Sequence, residues 1–403
     1  MRILFLHPNF PAQFRHLANL LSKDSNNQVV FGTKRSEGSM KGVAKVLYQE
    51  SRQAHSQTHH YVKPLESAVL QGQAVYRMAN QLKSKGFVPD VVYAHSGWGP
   101  GLFIKDIFPK AKYCCFFEWF YNAHGSDADF DPQDPIDADD EVRIRVKNAP
   151  ILLDLYSCDK GLSPTYWQRE QFPKEFQDKI HVLHDGVDTD FFQPKLGARL
   201  VLPSIDLDLS GVDEIVTYVA RGMEPYRGFP QFMEAVALIQ KHRPDAHVVV
   251  VGQDRVAYGK NLPDGRTYKQ LMLDKLRSDL DLSRLHFTGL LPYEKYLQVL
   301  QASSVHIYLT RPFVLSWSML EAMSAGCLVI ASDTAPVREV IQNGENGLLV
   351  DFFSPEQTAL RVEEVLSSKD GMRGLRVKAR ETIQKNYDLG NLLSKHLQWL
   401  LDG

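Results

Sequence analysis

Val305-His-Ile-Tyr-Leu309, Thr310-Arg-Pro-Phe-Val-Leu-Ser316, Trp317-Ser-Met-Leu-Glu-Ala-Met-Ser-Ala-Gly326 and Cys327-Leu-Val-Ile330 run consecutively, and the fold can be read outward from them. The first run is short, apolar and β-branched, which predicts a buried strand. Residues 317–325 suit a short helix, with Gly326 as its terminator. Cys327 to Ile330 predicts a second buried strand. A strand–loop–helix–strand unit belongs to a parallel sheet. In such sheets ligands sit beyond the carboxyl ends of the strands, where free N–H groups and the helix dipole attract phosphate. Glu321 falls about one turn into the helix. A carboxylate there can accept two hydrogen bonds from a vicinal diol such as a ribose. Ser318-x-x-Glu321 equally fits a capping box, in which the Glu only satisfies a backbone N–H. This stretch by itself leaves both readings open.

The same alternation runs through the whole chain. Arg2–Leu6 predicts a first strand, and residues 12–23 an amphipathic helix carrying Phe14, Leu17, Leu20 and Leu21. Strands follow at 28–31, 91–94 and 113–117, with short ones near 159–162 and 180–183. Helices are expected at 65–85 and 137–156. Residues 32–64 are polar and read as a long excursion. Residues 118–135 form an aromatic and acidic loop. Residues 193–213 lack a period and hold Pro194, Gly197, Pro203 and Gly211, so they read as the passage into a second domain. There strands are expected at 215–220, 246–251, 285–288, 305–309, 327–331 and 347–350. The expected division is 1–190 and 191–385, with a C-terminal helix at about 386–403 packing back on the first domain. Two β/α domains in tandem place a cleft between two sets of strand ends.

Composition narrows the class. The chain has 403 residues and a net charge of −2, so nothing points to nucleic acid. Apolar runs are too short to span a bilayer. The apolar start reads as a strand rather than a signal sequence. Cys114, Cys115, Cys158 and Cys327 lack metal spacing and imply no disulfide framework, so a reducing cytoplasm is expected. His55, His59 and His60 have no accompanying Cys or carboxylate, and no metal site or cofactor is expected.

Several segments resemble retaining glycosyltransferases of family 4, which have the GT-B fold. They are Ile215-Val-Thr-Tyr-Val-Ala-Arg-Gly-Met-Glu-Pro-Tyr-Arg-Gly228, Leu285-His-Phe-Thr-Gly-Leu-Leu-Pro292, Leu320-Glu-Ala-Met-Ser-Ala-Gly-Cys-Leu-Val-Ile-Ala-Ser332 and Asn343-Gly-Glu-Asn-Gly-Leu-Leu-Val350. His184-Asp-Gly-Val-Asp-Thr-Asp-Phe-Phe192 resembles the family's segment at the domain crossover. The resemblance covers most of residues 181–352, in the family's order and spacing. It implies an α/β fold of two Rossmann-like domains facing each other across a cleft. It also implies transfer of a sugar from a nucleoside-diphosphate sugar, with retention. The nucleotide would lie against the C-terminal domain and the acceptor against the N-terminal one.

The resemblance then assigns residues. Arg221 matches the family's arginine and Arg227 stands near its lysine, both placed to stabilise the departing diphosphate without a metal. Arginine can bind phosphate in a bidentate way where lysine is a point charge. Glu321 matches the second glutamate of a Glu-x7-Glu signature, which holds the ribose hydroxyls. Phe313 occupies the place of the first glutamate, a departure at the donor-sugar end. Backbone N–H groups of Val314, Leu315 and Ser316, with the Ser316 hydroxyl, are candidates for phosphate or sugar oxygens. Gly289 and Leu290 match the place where the backbone holds the base. On the acceptor side Asn9 and Phe10 follow the first strand, between Pro8 and Pro11. His95 and Glu118 end strands and are candidate catalytic groups, with His124 the nearby alternative. Asp127-Ala-Asp129 imitates the metal-binding pattern of the other glycosyltransferase fold and is discounted in a two-domain context.

UDP is the expected carrier and GDP the next. The acceptor class spans glycans, lipid-linked molecules and small molecules. The basic residues in 34–63 suit peripheral contact with the inner face of a membrane. A nucleotide-sugar epimerase of the same fold and a non-catalytic nucleotide-sugar-binding protein are the alternatives. A phosphorylase is disfavoured, because no segment resembles its pyridoxal-lysine surroundings. A dinucleotide dehydrogenase is disfavoured as well, because the first strand leads into His7-Pro-Asn-Phe-Pro11 and not a glycine fingerprint.

Overall fold

A computed structural model describes residues 1–368 and 371–402. Gly403, the end of the expected C-terminal helix, lies outside the described residues, as do residues 369 and 370. The chain divides into two compact units, Met1–Asp185 with Asn391–Gly403, and Gly186–Gly390.

The first unit is built on a seven-stranded parallel sheet. Its strands are β1 (Arg2–Leu6), β2 (Gln28–Thr33), β3 (Val43–Leu47), β4 (Val91–His95), β5 (Lys112–Phe116), β6 (Lys160–Ser163) and β7 (Ile180–Val182). They lie in the order β3-β2-β1-β4-β5-β6-β7. The central strands are apolar on both faces because helices cover both. One face buries Leu4, Val92, Tyr113 and Phe117, the other Ile3, Phe5, Tyr93 and Phe116. From Asn391 on, the helix Leu389–Leu401 belongs to this unit and sets Trp399 5.4 Å from Tyr93.

Three local expectations needed correction. The polar excursion 32–64 contains β3, which pairs in parallel with β2. It is a half-exposed edge strand, so its composition lacks the apolar run that marks a buried one. The expected helix 137–156 is two helices, Ala138–Lys147 and Ala149–Ser157, which meet at Asn148 ahead of Pro150. The supposed linker holds a short hairpin, β8 (Val201–Leu202) with β9 (Leu207–Asp208).

The second unit carries six parallel strands, β10 (Ile215–Gly222), β11 (His247–Gln253), β12 (Leu285–Gly289), β13 (Val305–Tyr308), β14 (Val329–Ser332) and β15 (Leu348–Val350). Their order is β12-β11-β10-β13-β14-β15. The stretch 305–330 therefore lies at its centre, with the helix Trp317–Ser324 between β13 and β14. Among the described residues no helix is long and apolar enough to cross a membrane.

Each sheet has one position where the direction of winding reverses. In the first unit it lies between β1 and β4, and in the second between β10 and β13. Helices leave such neighbours to opposite sides, which opens a crevice at the strands' carboxyl ends. Near the second crevice the β10–β11 register shifts between Val219 and Gly222. Gly252 opposite has φ +146°, and a Cβ there would lie 2.0 Å from the Ala220 carbonyl oxygen. Gly252→Ala should therefore lower stability by about 3 kcal/mol or more, measured by chemical denaturation.

Candidate functional site

At the first switch point the loop after β1 meets the loop after β4. His7 and His95 approach edge to face, with ring centroids 4.8 Å apart. The Asn9 N–H donates to His7 Nδ1 at 2.8 Å, so in the neutral ring the proton sits on Nε2. Burial first, and His95 second, hold the His7 pKa well below its ordinary value of 6.5. His95 Nδ1 lies 2.8 Å from the Ser96 carbonyl, which can only accept, so this nitrogen is protonated. That leaves His95 Nε2 buried with no hydrogen-bond partner, 3.6 Å from Glu118 Oε2. The gap is too long for a direct hydrogen bond, so the two acceptor atoms lie side by side without bonding each other.

Glu118 itself is positioned. Gln13 Nε2 donates to its Oε1 at 3.0 Å, and Gln168 Nε2 donates to its carbonyl at 2.6 Å. His95 and Glu118 line a cavity of about 270 Å³ whose walls include Trp98, Trp119, Tyr121 and Lys147. Trp98 stacks on His95 at 4.4 Å. Asn148, at the break between the two helices, clamps the backbone of Tyr121 from both sides. Lys147 then lies 3.5 Å over the Tyr121 ring, and burial pushes its pKa down to about 8. Aromatic faces beside a carboxylate, an imidazole and an amine suit a ring bearing hydroxyls.

The other acceptor-side candidates are placed differently. Phe10 packs against Phe31, with Lys45 over its ring. His124 is exposed and lies 3.1 Å from Glu141 and 3.5 Å from Asp129, away from the lining of the cavity. Asp127 and Asp129 bind within their own loop, from Ser126 and from the Gly125 N–H. Among the described residues no group of three His, Cys, Asp or Glu could hold a metal ion.

The second switch point is built from cations, a buried carboxylate and hydroxyls. Arg221 is exposed near the end of β10. Arg227 is buried, and its Nη1 donates to Thr310 Oγ1 at 2.7 Å and to Tyr308 Oη at 3.2 Å. Burial opposes its charge, and the hydroxyls of Tyr308, Tyr258 and Tyr218 offset this and leave the pKa raised. Tyr308 Oη also accepts from the Ser316 N–H at 2.9 Å. That N–H, a candidate for phosphate, is therefore already engaged. Ser316 Oγ accepts from the Ser318 N–H and caps the helix. With Ser316 at the N-cap, the capping-box position falls on Met319 and not on Glu321. The Glu321 carboxylate is instead buried and accepts from Tyr296 Oη at 2.8 Å. Val314 is half-buried and Leu315 joins the core, while Gly289 ends β12 at φ +69° and Leu290 beyond it is exposed.

Glu224 was not singled out from the sequence. It is fully buried and accepts from the N–H groups of Ala257, Tyr258 and Gly259 at 2.7–3.1 Å. Its signal was its place three residues after Arg221, inside the segment that turns out of β10. Phe313 meets Tyr226 and Tyr258 edge to face, both at 5.3 Å.

Residues 25–192 match the glycosyl transferase family 4 group, and residues 206–386 match glycosyl transferases group 1. The α-maltose-1-phosphate synthase of Mycolicibacterium smegmatis is 24% identical, over 56% of this chain and 58% of that protein. The chain matches between 39% and 58% of the length of the first two curated relatives. The solved structure of sucrose-phosphate synthase from Thermosynechococcus elongatus has a TM-score of 0.74 at 16% identity, covering 99% of this chain and 98% of that one. The Anabaena protein HepE in complex with UDP gives 0.68 at 14%, covering 99% of both chains. Both structures share the fold.

Behind the first cavity, Asp154 accepts from Ser96 Oγ and Tyr113 Oη, both at 2.8 Å, and burial pushes its pKa up to about 6. A raised carboxyl holds its proton more tightly in the folded chain. Its contribution to stability is therefore greatest below the ordinary 3.8 and declines as pH rises to 6, by about 3 kcal/mol. Asp154→Asn should remove that slope, so the stability difference between wild type and variant changes by about 2 kcal/mol from pH 4 to 7 in urea titrations.

Proposed function

The chain belongs to the GT-B glycosyltransferases of family 4 type, and from that premise we propose that it moves a sugar from a nucleoside-diphosphate donor to a hydroxyl acceptor, with retention and without a metal ion. The observation that carries this reading is the second switch point. There Arg221 lies near the end of one central strand and Arg227 in the turn that follows it, and a buried carboxylate, Glu321, stands on the helix after the neighbouring strand. As the glycosidic bond breaks, the diphosphate gains negative charge. Fixed cations lower that barrier because they need no reorganisation. The exposed Arg221 meets the phosphates. Arg227 sets the loop around them through Thr310 and Tyr308.

Glu321 accepts the ribose hydroxyls, with Tyr296 holding one of its oxygens in place. The base lies against the backbone at Gly289 and Leu290. UDP is the first carrier to test, a choice supported by the likeness to a UDP-bound protein, and GDP is the second. The acceptor takes the cavity of the first domain. There Glu118 Oε2 and His95 Nε2 accept from its hydroxyls, and Trp98 and Tyr121 supply the ring faces.

Incubation with labelled nucleotide-sugars tests the reading. Transfer or hydrolysis supports it, 2-epimer formation supports the epimerase, and binding without turnover supports a binding protein. Arg221→Ala should abolish turnover with an unchanged melting curve; wild-type turnover would sink the diphosphate assignment. Glu321→Gln keeps an acceptor for Tyr296 but loses the charge. It should raise the donor Kd by one to two orders of magnitude, for about 1.5–3 kcal/mol of charged hydrogen bonding, read by calorimetric titration.

A further inference from the structure

Phe313 is one corner of a built cluster. Its ring meets Tyr226 and Tyr258 edge to face at 5.3 Å, and those two lie 6.2 Å apart. The three rings come from three loops, those following β10, β11 and β13. Each loop is tied down. Glu224 holds the backbone at residues 257–259. The Arg311 N–H donates to the Tyr226 carbonyl at 3.1 Å. Buried guanidiniums stack on the rings, Arg227 over Tyr258 and Arg311 over Tyr226, both at 5.2 Å. Tyr258 is 38% exposed and the other two are half-buried, so the cluster keeps an accessible face.

Such a wall treats sugar substituents unequally. A hydroxyl pressed against ring faces leaves water and finds no acceptor in return. A methyl group in the same place gains from leaving water and contacts a polarisable surface. The ribose and base are assigned to Glu321 and to the loop after β12. The cluster shares its loops with the diphosphate cations, and so meets the group on the far side of the diphosphate.

We propose that Tyr226, Tyr258 and Phe313 form the donor-sugar wall and select a sugar that presents a methyl group, as a 6-deoxyhexose or an acetamido sugar does. This rests on the second domain being the donor half. The full chain would be titrated calorimetrically with UDP, GDP and dTDP alone. Three matched pairs follow: UDP-N-acetylglucosamine with UDP-glucose, GDP-fucose with GDP-mannose, and dTDP-rhamnose with dTDP-glucose. In at least one pair the methyl-bearing donor should bind about tenfold or more tightly than its partner, and the pair that responds identifies acetamido or deoxy. Phe313→Glu should bring that ratio to one or below while leaving nucleoside-diphosphate affinity unchanged. Tyr258→Leu, at an exposed ring, should narrow it independently. Equal or tighter binding of the hydroxylated partner in all pairs overturns the proposal, as does a ratio that neither variant moves. If no nucleoside diphosphate binds, the donor reading itself fails and the proposal with it. Nucleotide binding without methyl preference overturns the proposal alone.

Discussion

A guanidinium cannot be taken out of water without partners, and the buried Arg227 imposes that constraint on the second domain. It comes from the turn after β10, and its partners Thr310 and Tyr308 come from β13 and the loop beyond. Tyr308 passes the constraint on, because the same hydroxyl accepts the Ser316 N–H at the start of the next helix. That helix carries Glu321. One buried cation thus sets the distance between the cation-bearing loop and the carboxylate-bearing helix. Glu224 does the same for the loop after β11, with a buried carboxylate meeting three N–H groups. Charge, normally excluded from interiors, here defines the shape of a crevice.

The first domain solves the same topological problem with different chemistry. Its switch point holds imidazoles and a carboxylate rather than guanidiniums. His7 is kept neutral by burial, His95 is oriented by a carbonyl, and Glu118 is held by two glutamines. Aromatic rings wall the adjoining cavity. Cations at one crevice suit a leaving diphosphate, whereas acceptor atoms and ring faces at the other suit a hydroxylated ring. The two domains share an architecture and differ in the groups they carry at the switch point.

Much of this was legible in the chain. Apolar, β-branched runs such as Ile215–Ala220 and Val305–Leu309 identified the central strands, because a strand covered on both faces has little room for polar residues. β3 escaped notice for the converse reason, since an edge strand is half wet and its residues look like loop. Arg221, Arg227 and Glu321 stood out because they fall in segments that resemble the family's, and His95 and Glu118 because they lie at the ends of strands. Glu224, Tyr296, Tyr258 and Gln13 did not. Each acts on a partner far along the chain, from 25 to 105 residues away. No local pattern carries such pairings.

The sequence by itself determined the alternation of strands and helices, the tandem of two parallel sheets and the family, because periodicity and short motifs are local properties. Tertiary structure alone decided what the ambiguous residues touch. Ser318-x-x-Glu321 along the chain fits a capping box as well as a ligand site, yet the helix is capped by Ser316 and Glu321 accepts from Tyr296. Phe313 reads as a missing carboxylate, yet it completes an aromatic cluster with Tyr226 and Tyr258. In both cases the deciding partner lies on another loop or helix, and only packing brings it within reach.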